Sequence, residues 1–301
     1  MKFLVAADIH FHNYRSYSRR EKGYNSRLLR TVDAFDVMTK HAAKDGDVDA
    51  IFLLGDIFHR RGLLDVDVIN KAYQCMRRLA RVTKSLTILA GNHDQMSKDG
   101  QITSLEVFQD IKGVQVILGP TKFEIFGTQF YLHPYTEDVD GFRRQITEWV
   151  DEMNALTPRS RYLMTHMGVQ GATVGPYEFE PPSPLALEDL LPGAFAKVFM
   201  GHYHKRQEFF PKNCPRSKAM YVGSFLQHNH SEEGDPKGFI EVEEPGGAII
   251  HHKTRQPEFF TIRQSNLIPL PRFNLCKRYP DVTAVRRNSN LEHSSEDIFL
   301  D

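Results

Sequence analysis

An aspartate follows an apolar run and a glycine in the stretch LLGDIFHRRG, Leu53 to Gly62, and a histidine lies three residues further on. A carboxylate and an imidazole both resist burial unless another group pairs with them. A metal ion is one such partner. Asp56 and His59 therefore indicate a metal site, provided that other parts of the chain supply further ligands.

Four more apolar runs end in residues that bind metal ions. Apart from Asp56 and His59, the residues at these ends are Asp8, His10, Asn92, His93, Asp94, His166, His202 and His204. A lone histidine is more often a core or surface residue than a ligand. Five separate run ends that share this feature favour one common site instead.

This candidate ligand set has nitrogen and oxygen donors and no sulfur. Such donors suit Mn²⁺, Fe²⁺, Zn²⁺ or Mg²⁺ and argue against thiolate-bound centres. The groups are too many for one ion, so the set favours two ions that share a bridging carboxylate. Two such ions, about 3.5–4 Å apart, hold a water or hydroxide that attacks phosphorus in line. Gly55, Gly91 and Gly201 allow the tight turns that bring backbone close to the metals.

Alternating strands and helices must position these ligands. Strands are predicted at 2–7, 50–55, 86–91, 114–119, 122–127, 129–134, 161–166, 196–202, 219–224, 238–244 and 248–252, and helices at 26–44, 65–82, 141–156 and 185–191. The first half alternates strand and helix, which predicts a parallel sheet whose ligands gather at the carboxyl ends of its strands. We expect an α/β fold in which two mixed sheets pack face to face with helices outside.

The composition fits a soluble globular protein, since 41% of the 301 residues are apolar and 25% are charged. Asp8 and His10 break the first apolar run far sooner than in a signal peptide or in a span of about 20 apolar residues. We therefore expect no membrane segment. Three unpatterned cysteines argue against a disulfide framework or a zinc finger and favour the cytoplasm.

A local basic run stands out, although the net charge is zero with 38 basic and 38 acidic residues. The segment RSYSRREKGYNSRLLR, Arg15 to Arg30, interleaves arginines and a lysine with tyrosines. This composition suits contacts with phosphates and stacking on bases. The alternative interpretation is a solvated loop that leads into a helix.

Five motifs together resemble the motif set of the calcineurin-like metallophosphoesterase superfamily. They are ADIH at 7–10, GDIFH at 55–59, GNHD at 91–94, TH at 165–166 and GHYH at 201–204. Their order and approximate spacing match that superfamily over residues 2–262. The resemblance implies a four-layer α/β/β/α sandwich and metal-dependent hydrolysis of phosphate esters.

The resemblance also implies a role for each site residue. One metal ion would be held by Asp8, His10, Asp56 and His204, and the second by Asp56, Asn92, His166 and His202. Asp56 would bridge the two ions, which explains a carboxylate at the end of a buried strand. Mn²⁺ is the expected ion, with Mg²⁺ as the alternative. His93 would stabilise charge or protonate the leaving oxygen, with Asp94 as its orienting partner.

His59 narrows the resemblance further. Protein phosphatases of the superfamily typically show GDxxDRG and GNHE, whereas this chain has GDIFHRRG and GNHD. GDIFH is instead similar to the SbcD-like nuclease subunits of double-strand-break processing complexes, in which this histidine assists cleavage. The similarity implies an exonuclease and single-strand endonuclease acting on DNA in repair, recombination or replication, with an SbcC-like SMC-type ATPase as partner.

Two other functions stay open at this point. A phosphomonoesterase or a small-molecule phosphodiesterase could use the same scaffold. A non-catalytic scaffold protein would have a broken ligand set, and none of the predicted ligands is missing from the sequence. His228 and His230 follow a Gly-Ser loop similar to that of the family and are interpreted as loop residues rather than ligands.

The last predictions concern assembly. Residues 1–262 are expected to form the nuclease domain and 263–301 a C-terminal extension with a flexible tail. The tail ends in DIFLD, which resembles docking peptides for sliding clamps or partner ATPases, the alternative being a frayed terminus. The helix at 65–82 carries a stripe of Val66, Ile69, Tyr73 and Met76. This stripe either packs on the protein's own sheet or supports a homodimer.

Overall fold

The computed structural model describes residues 1–46, 48–97, 100, 102–153, 160–175, 179–210, 218–254, 256, 258–262 and 296–299. Among these residues, no helix has both the length and the apolar character needed to cross a bilayer. Strands and helices alternate along the first half of the chain, and strands predominate after it.

Six strands form the first sheet. From one edge to the other they are β14 (Ala248–Lys253), β13 (Gly238–Glu243), β1 (Lys2–Ala6), β4 (Val48–Leu54), β5 (Ser85–Leu89) and β6 (Val114–Ile117). The four strands from β1 to β6 are parallel, whereas β13 is antiparallel to both β1 and β14. The parallel strands have continuous apolar sequences because both faces of the sheet are covered.

A second sheet of six strands packs against the first. Its strands, in spatial order, are β11 (Gln207–Phe209), β12 (Lys218–Tyr221), β10 (Lys197–Met200), β9 (Arg161–Thr165), β8 (Thr128–His133) and β7 (Thr121–Ile125). The four inner strands are parallel, and the two edge strands are antiparallel to their neighbours. β7 and β8 form the predicted hairpin, which turns at Phe126 and Gly127 with positive φ at both residues.

Three α-helices and several short elements complete the part of the fold that the structure describes. The helices are α1 (Ser26–Asp45), α2 (Val66–Leu79) and α3 (Val139–Met153). Asn25 caps α1, since its side chain accepts hydrogen bonds from the backbone N–H groups of Arg27 and Leu28. The short elements are the 3₁₀ turns Ser104–Phe108, Leu187–Leu190, Pro192–Ala194 and His230–Glu232 and the strand pairs β2 (Arg20–Glu21) with β3 (Tyr24–Asn25) and β15 (Phe259–Ile262) with β16 (Glu296–Phe299).

Three clusters of buried apolar side chains define four layers. The first cluster lies where α1 and α2 cover the outer face of the first sheet. The second lies between the sheets, where the Phe3 ring meets Phe52 and Phe130 edge to face with ring centroids 5.8 and 5.3 Å apart. The third joins α3 to the outer face of the second sheet. This architecture confirms the predicted fold of two mixed sheets flanked by helices.

The predictions from the sequence miss or misplace several short elements. The helix predicted at 185–191 is only the 3₁₀ turn Leu187–Leu190, because Leu191 has a φ of +44° and Pro192 follows it. The strand pairs β2–β3 and β15–β16 and the edge strand β11 were not predicted. Each of these strands has two to four residues, too few for an alternating pattern to be detected.

α2 packs on its own sheet, as one of the two interpretations predicted. Its buried face consists of Val68, Ala72, Cys75, Met76 and Leu79. The predicted stripe is therefore split, since Met76 is buried while Val66 is 74% exposed. A homodimer through the exposed part of this helix stays a prediction.

Only four residues of the C-terminal extension belong to the described structure. Glu296–Phe299 form β16, which pairs antiparallel with β15. At these residues the structure has a paired strand where the sequence predicts a flexible tail. The rest of the segment 263–301 lies outside the described residues.

Candidate active site

Five strand ends converge on one site between the two sheets. Asp8 and His10 follow β1, Asp56 and His59 follow β4, Asn92, His93 and Asp94 follow β5, His166 follows β9, and His202 and His204 follow β10. These strands are parallel within each sheet, so their carboxyl ends meet at one edge. The structure thus brings together all the site residues predicted from the sequence.

Asp56 lies between two groups of these side chains. Its Oδ1 is 3.3 Å from Nε2 of His166, and its Oδ2 is 3.5 Å from Nε2 of His10. The Asp56 residue is 2% exposed. Each carboxylate oxygen therefore faces a different group, which is the arrangement expected of a bridging ligand.

The first group contains His10, His204 and Asp8. Nε2 of His10 lies 3.0 Å from Nε2 of His204. Asp8 is fully buried, and its Oδ1 accepts a hydrogen bond of 3.0 Å from the backbone N–H of His202. If neither nitrogen carries a proton, the two cannot form a hydrogen bond with each other. The pair then suits a cation that both nitrogens can bind.

The second group is built around the side-chain oxygen of Asn92. Its Oδ1 lies 3.1 Å from Nε2 of His166 and 3.1 Å from Nδ1 of His202. Ligand atoms bound to one ion at about 2.1 Å in octahedral geometry are about 3 Å apart. The spacing of these donors and their nitrogen and oxygen chemistry both fit a divalent cation.

The electrostatics of the site also favour positive charge. Burial by itself lowers the pKa of His166, but the Asp56 carboxylate outweighs this effect and raises the pKa to about 9. Burial likewise raises the pKa of Asp56, yet His166 and His10 reverse the shift and hold it below the usual value. Buried carboxylates that stabilise a neighbouring cation this strongly are suited to metal binding.

Backbone strain is concentrated at the same place. Asp8, His10, Asp56 and His202 have φ values of +52°, +52°, +53° and +102°. Positive φ in a residue other than glycine costs of order 1–3 kcal/mol and persists where the surrounding structure imposes it. Here the strain turns each side chain back toward the end of its strand.

Two glycines confirm the predicted close approach of the backbone. A Cβ atom on Gly55 would lie 2.4 Å from Nδ1 of His166, and one on Gly91 would lie 2.3 Å from Oδ1 of Asp56. Gly55 also has a φ of +85°. Any side chain at either position would displace the site residues.

The motif and the geometry agree with a family profile. The profile of the calcineurin-like phosphoesterases matches residues 1–217. The chain belongs to this family. The converging donors are its candidate ligands for divalent ions.

Two curated relatives of this metallophosphoesterase share about a quarter of its residues. The chain is 24% identical over 259 residues to the metallophosphoesterase YhaO of Bacillus subtilis (strain 168). This match covers 85% of this chain and 60% of YhaO. It is 23% identical over 195 residues to a protein of Invertebrate iridescent virus 6 named phosphoesterase 244L, which covers 63% of this chain and 62% of that protein. The chain thus spans about three fifths of the length of these relatives.

Solved structures of metallophosphoesterases share the fold. A dimetal phosphatase from Danio rerio superposes with a TM-score of 0.56 and 10% identity, over 85% of this chain and 97% of that one. Purple acid phosphatase PPD1 from yellow lupin (Lupinus luteus) seeds superposes with a TM-score of 0.53 and 12% identity, over 84% of this chain and 51% of that one. At these identities the likeness shows the fold alone.

Glu232 supports the site from outside the five motifs. Its Oε1 lies 2.9 Å from Nδ1 of His204, and its Oε2 is 2.8 Å from Nζ of the buried Lys237. Burial raises the pKa of Glu232, but the hydrogen bond from His204 and the charges around it lower the pKa below its usual value. The carboxylate fixes the ring so that Nε2 of His204 points at His10. No motif in the sequence indicated a role for Glu232.

Replacement of Glu232 by Gln is expected to weaken metal binding by about 10–100-fold, because the histidine loses its orienting carboxylate. Metal content after dialysis against a series of free Mn²⁺ concentrations measures this effect. Glu233→Gln, which changes the neighbouring exposed carboxylate, is the matched control and should leave the affinity unchanged. Equal affinities in both variants would contradict the orienting role.

The predicted pairing of His93 with Asp94 is wrong. Nδ1 of His93 lies 2.6 Å from the backbone oxygen of His59 and donates to it. Asp94 instead accepts hydrogen bonds of 3.1 and 3.0 Å from the backbone N–H groups of Phe58 and Gly91. Because its carboxylate turns toward the backbone, Asp94 joins the two loops and does not orient the His93 ring.

His59 lies at the entrance of the site. Its ring stacks on His93 with centroids 5.5 Å apart and contacts His12 and Tyr14 at 5.0 Å each. Burial and the neighbouring His12 and His93 lower the pKa of His59 to about 4, so the ring is neutral near pH 7. A neutral ring between the site and Tyr14 can contact a substrate that enters from this side.

His228 lies closer to the site than its interpretation as a loop residue suggested. The ring is buried, with Nε2 3.2 Å from the backbone oxygen of Asp8 and Nδ1 3.3 Å from the hydroxyl of Tyr14. Both ring nitrogens thus have hydrogen-bond partners within the protein. The prediction that His228 is not a ligand stays a prediction. His230 packs against Phe259, with ring centroids 4.5 Å apart.

A groove of about 1280 Å³ opens beside His59 and His204. The basic and aromatic residues that line it include Tyr14, Arg15, Tyr17, Arg19, Arg20, Arg27 and Arg60. Two acidic residues, Asp65 and Asp67, also line it and accept hydrogen bonds from Asn13. Most of the basic run found in the sequence therefore faces a groove that leads to the site.

Proposed function

We propose that this metallophosphoesterase hydrolyses phosphodiester bonds of DNA with two divalent metal ions. The basic and aromatic groove beside the site carries this proposal. A phosphomonoester needs only the metal centre, whereas a nucleic acid also needs a surface that holds the chain on either side of the scissile bond. The groove volume of about 1280 Å³ exceeds the usual 300–1,000 Å³ of a small-molecule pocket.

In the proposed mechanism, the first ion would be held by Asp8, His10, Asp56 and His204 and the second by Asp56, Asn92, His166 and His202. Mn²⁺ is the proposed ion, with Mg²⁺ as the alternative, because the donors are imidazoles, carboxylates and an amide oxygen. Such ions, when bound, would activate a water molecule for attack on phosphorus and neutralise the charge of the phosphate.

His93 and His59 are proposed to handle the substrate. The hydrogen bond from Nδ1 of His93 to the His59 backbone leaves Nε2 as the nitrogen for the substrate. From Nε2, His93 would either stabilise charge on the phosphate or give a proton to the leaving oxygen as the P–O bond breaks. His59, stacked on His93 and in contact with Tyr14, would place a nucleotide at the entrance.

The floor of the groove is preorganised. The guanidinium of Arg27 lies 4.1 Å from the Tyr14 ring centroid and donates a hydrogen bond of 2.7 Å to the backbone oxygen of His228. Arg27 is therefore part of the protein's framework, whereas Arg15 and Arg20 are exposed. Of the basic run, Arg30 pairs with Glu21 and Asp33. The exposed arginines are the ones proposed to contact phosphates.

A pair of chromogenic esters separates the proposed diesterase from a phosphomonoesterase. With Mn²⁺, bis(p-nitrophenyl) phosphate should be hydrolysed at a higher kcat/KM than p-nitrophenyl phosphate. End-labelled single-stranded and duplex DNA should be cleaved under the same conditions. A much faster reaction with the monoester and intact DNA would replace the proposal with a phosphomonoesterase.

The double variant Arg15→Ala/Arg20→Ala tests the groove itself. Loss of two phosphate contacts should weaken DNA binding and reduce the slope of log K against log salt by about 1 for each arginine. Hydrolysis of the small diester should be unchanged, because this substrate is too short to extend along the groove. Salt titration of DNA binding, together with initial rates on both substrates, measures this split.

The exposed Arg144 on α3 offers a control for the charge alone. Its side chain is 69% exposed and lies in the opposite helical layer. Arg144→Ala removes a positive charge without touching the groove, so both DNA cleavage and the salt slope should stay as in the wild type. An equal loss in this control would show that net charge, not the groove, determines DNA binding.

Assembly partners follow from the same proposal. A nuclease subunit would work with an SMC-type ATPase, and DIFLD at 297–301 would serve as a docking peptide for that partner or for a sliding clamp. The pairing of β16 with β15 occupies part of this segment. A partner would therefore have to displace β16 or bind the strand pair as it stands.

A further inference from the structure

Three side chains on the outer face of the first sheet form a cluster away from the active site. His41 lies on α1, Glu241 on β13 and His252 on β14. Their ligand atoms all lie within 4.8 Å of one another. Arg27 at the start of α1 lines the groove, and His41 lies fourteen residues further along this helix, about 21 Å at 1.5 Å per residue.

The carboxylate of Glu241 is the centre of the cluster. Nε2 of His41 contacts its Oε2, and Nε2 of His252 lies 3.4 Å from the same oxygen. Nζ of Lys2 lies 3.8 Å from the other oxygen, Oε1. The two imidazoles therefore lie near one carboxylate oxygen, and the lysine lies near the other. The Glu241 residue is only 5% exposed.

An ion pair between His41 and Glu241 does not explain why His252 lies beside them. Nε2 of His252 is buried and lies 3.4 Å from Oε2 of Glu241, but it makes no hydrogen bond of good geometry in the described structure. A buried nitrogen without a partner is costly, and native structures rarely leave one.

We propose that His41, Glu241 and His252 bind a zinc-class divalent cation at a site separate from the catalytic pair. Two imidazoles and one carboxylate are a known zinc donor set, and ligand atoms at about 2.0–2.1 Å in tetrahedral geometry are about 3.3 Å apart. The spacing of 3.4 Å between Nε2 of His252 and Oε2 of Glu241 matches this value. A water molecule completes the shell, because the imidazole side chains of His41 and His252 are 24% and 27% exposed.

Such an ion has a structural consequence. It ties the last two turns of α1 to β13 and β14, the antiparallel strands at the edge of the first sheet. The catalytic ligands follow β1, which pairs directly with β13. The cation therefore stabilises the edge of the sheet without touching the reacting groups.

The zinc content of the full chain tests this site. Apo-protein reloaded with Zn²⁺ and freed of excess metal should hold one more ion per chain in the wild type than in His252→Ala. His251→Ala is the matched control, since it removes the neighbouring histidine on the opposite face of β14 and should keep the wild-type count. Hydrolysis of bis(p-nitrophenyl) phosphate by the Mn²⁺-loaded protein should be unchanged in both variants.

Thermal unfolding gives a second readout. Zn²⁺ added to the Mn²⁺-loaded wild type should raise the unfolding midpoint, because a ligand that binds only the folded state stabilises it. This shift should be smaller in His252→Ala than in His251→Ala, since any Zn²⁺ that replaces Mn²⁺ at the catalytic site contributes equally in both variants. If His252→Ala fails to fold, His41→Gln makes the same comparison. Equal zinc counts and equal midpoint shifts in wild type and cluster variant would overturn the proposal.

Discussion

Asp56→Asn is expected to abolish hydrolysis and to release both catalytic metal ions. Each oxygen of Asp56 faces a different donor group, at 3.3 Å from His166 and 3.5 Å from His10. The substitution removes the one negative charge that both ions share and replaces one oxygen with an NH₂ group, which cannot bind a cation. Metal analysis after dialysis and initial rates on bis(p-nitrophenyl) phosphate measure the two losses.

The same strand offers a control for this prediction. Asp49 lies near the amino end of β4, at the opposite end of this strand from the site, and pairs with Lys84 at 2.6 Å. Asp49→Asn removes a carboxylate of the same type and should retain both ions and full activity. If Asp56→Asn binds as much metal as the wild type, Asp56 is not the bridging ligand.

The site was predictable because its ligands are local to the strands that carry them. A short apolar run, a glycine and a polar residue such as Asp56 or Asn92 can be identified in the sequence without knowledge of the rest of the fold. In a parallel sheet, the carboxyl ends of the strands meet, so position along the chain already implies proximity in space. The same reasoning predicted the two sheets and all three α-helices.

The groups that support the ligands were not predictable in this way. Glu232 reaches His204 from a short 3₁₀ turn, and only the return of the chain through Lys237 into β13 brings it there. The pairing of Asp94 with His93 was implied by the family resemblance and not by any contact that the sequence shows. Adjacent side chains at a turn point in different directions, and the Asp94 carboxylate turns back to the loop of Phe58 instead.

The cluster on the outer face illustrates the same limit of sequence patterns. His41, Glu241 and His252 belong to a helix and two strands, and none of them follows a strand end. In the sequence, no motif distinguishes these three residues from the other polar residues of their elements. Only the packing of α1 across β13 and β14 makes them neighbours.

His93→Ala is expected to lower kcat for DNA cleavage by about 10²–10⁴-fold while both metal ions stay bound. The side chain contacts the backbone oxygen of His59, whereas the contact with Asp56 comes from the backbone N–H of His93, at 2.9 Å from Oδ1. Alanine keeps this N–H, so the bridging carboxylate keeps its position. Metal content therefore separates this variant from Asp56→Asn.

A comparison of substrates with different leaving groups shows which role His93 has. If His93 gives its proton to the leaving oxygen, the loss in His93→Ala is large for DNA, whose leaving alkoxide is strongly basic. It is small for bis(p-nitrophenyl) phosphate, because nitrophenolate leaves without protonation. Equal losses on both substrates would assign His93 to stabilisation of phosphate charge instead. Loss of metal from the His93 variant would contradict both roles, since the ring would then be holding an ion or the loop that carries the ligands.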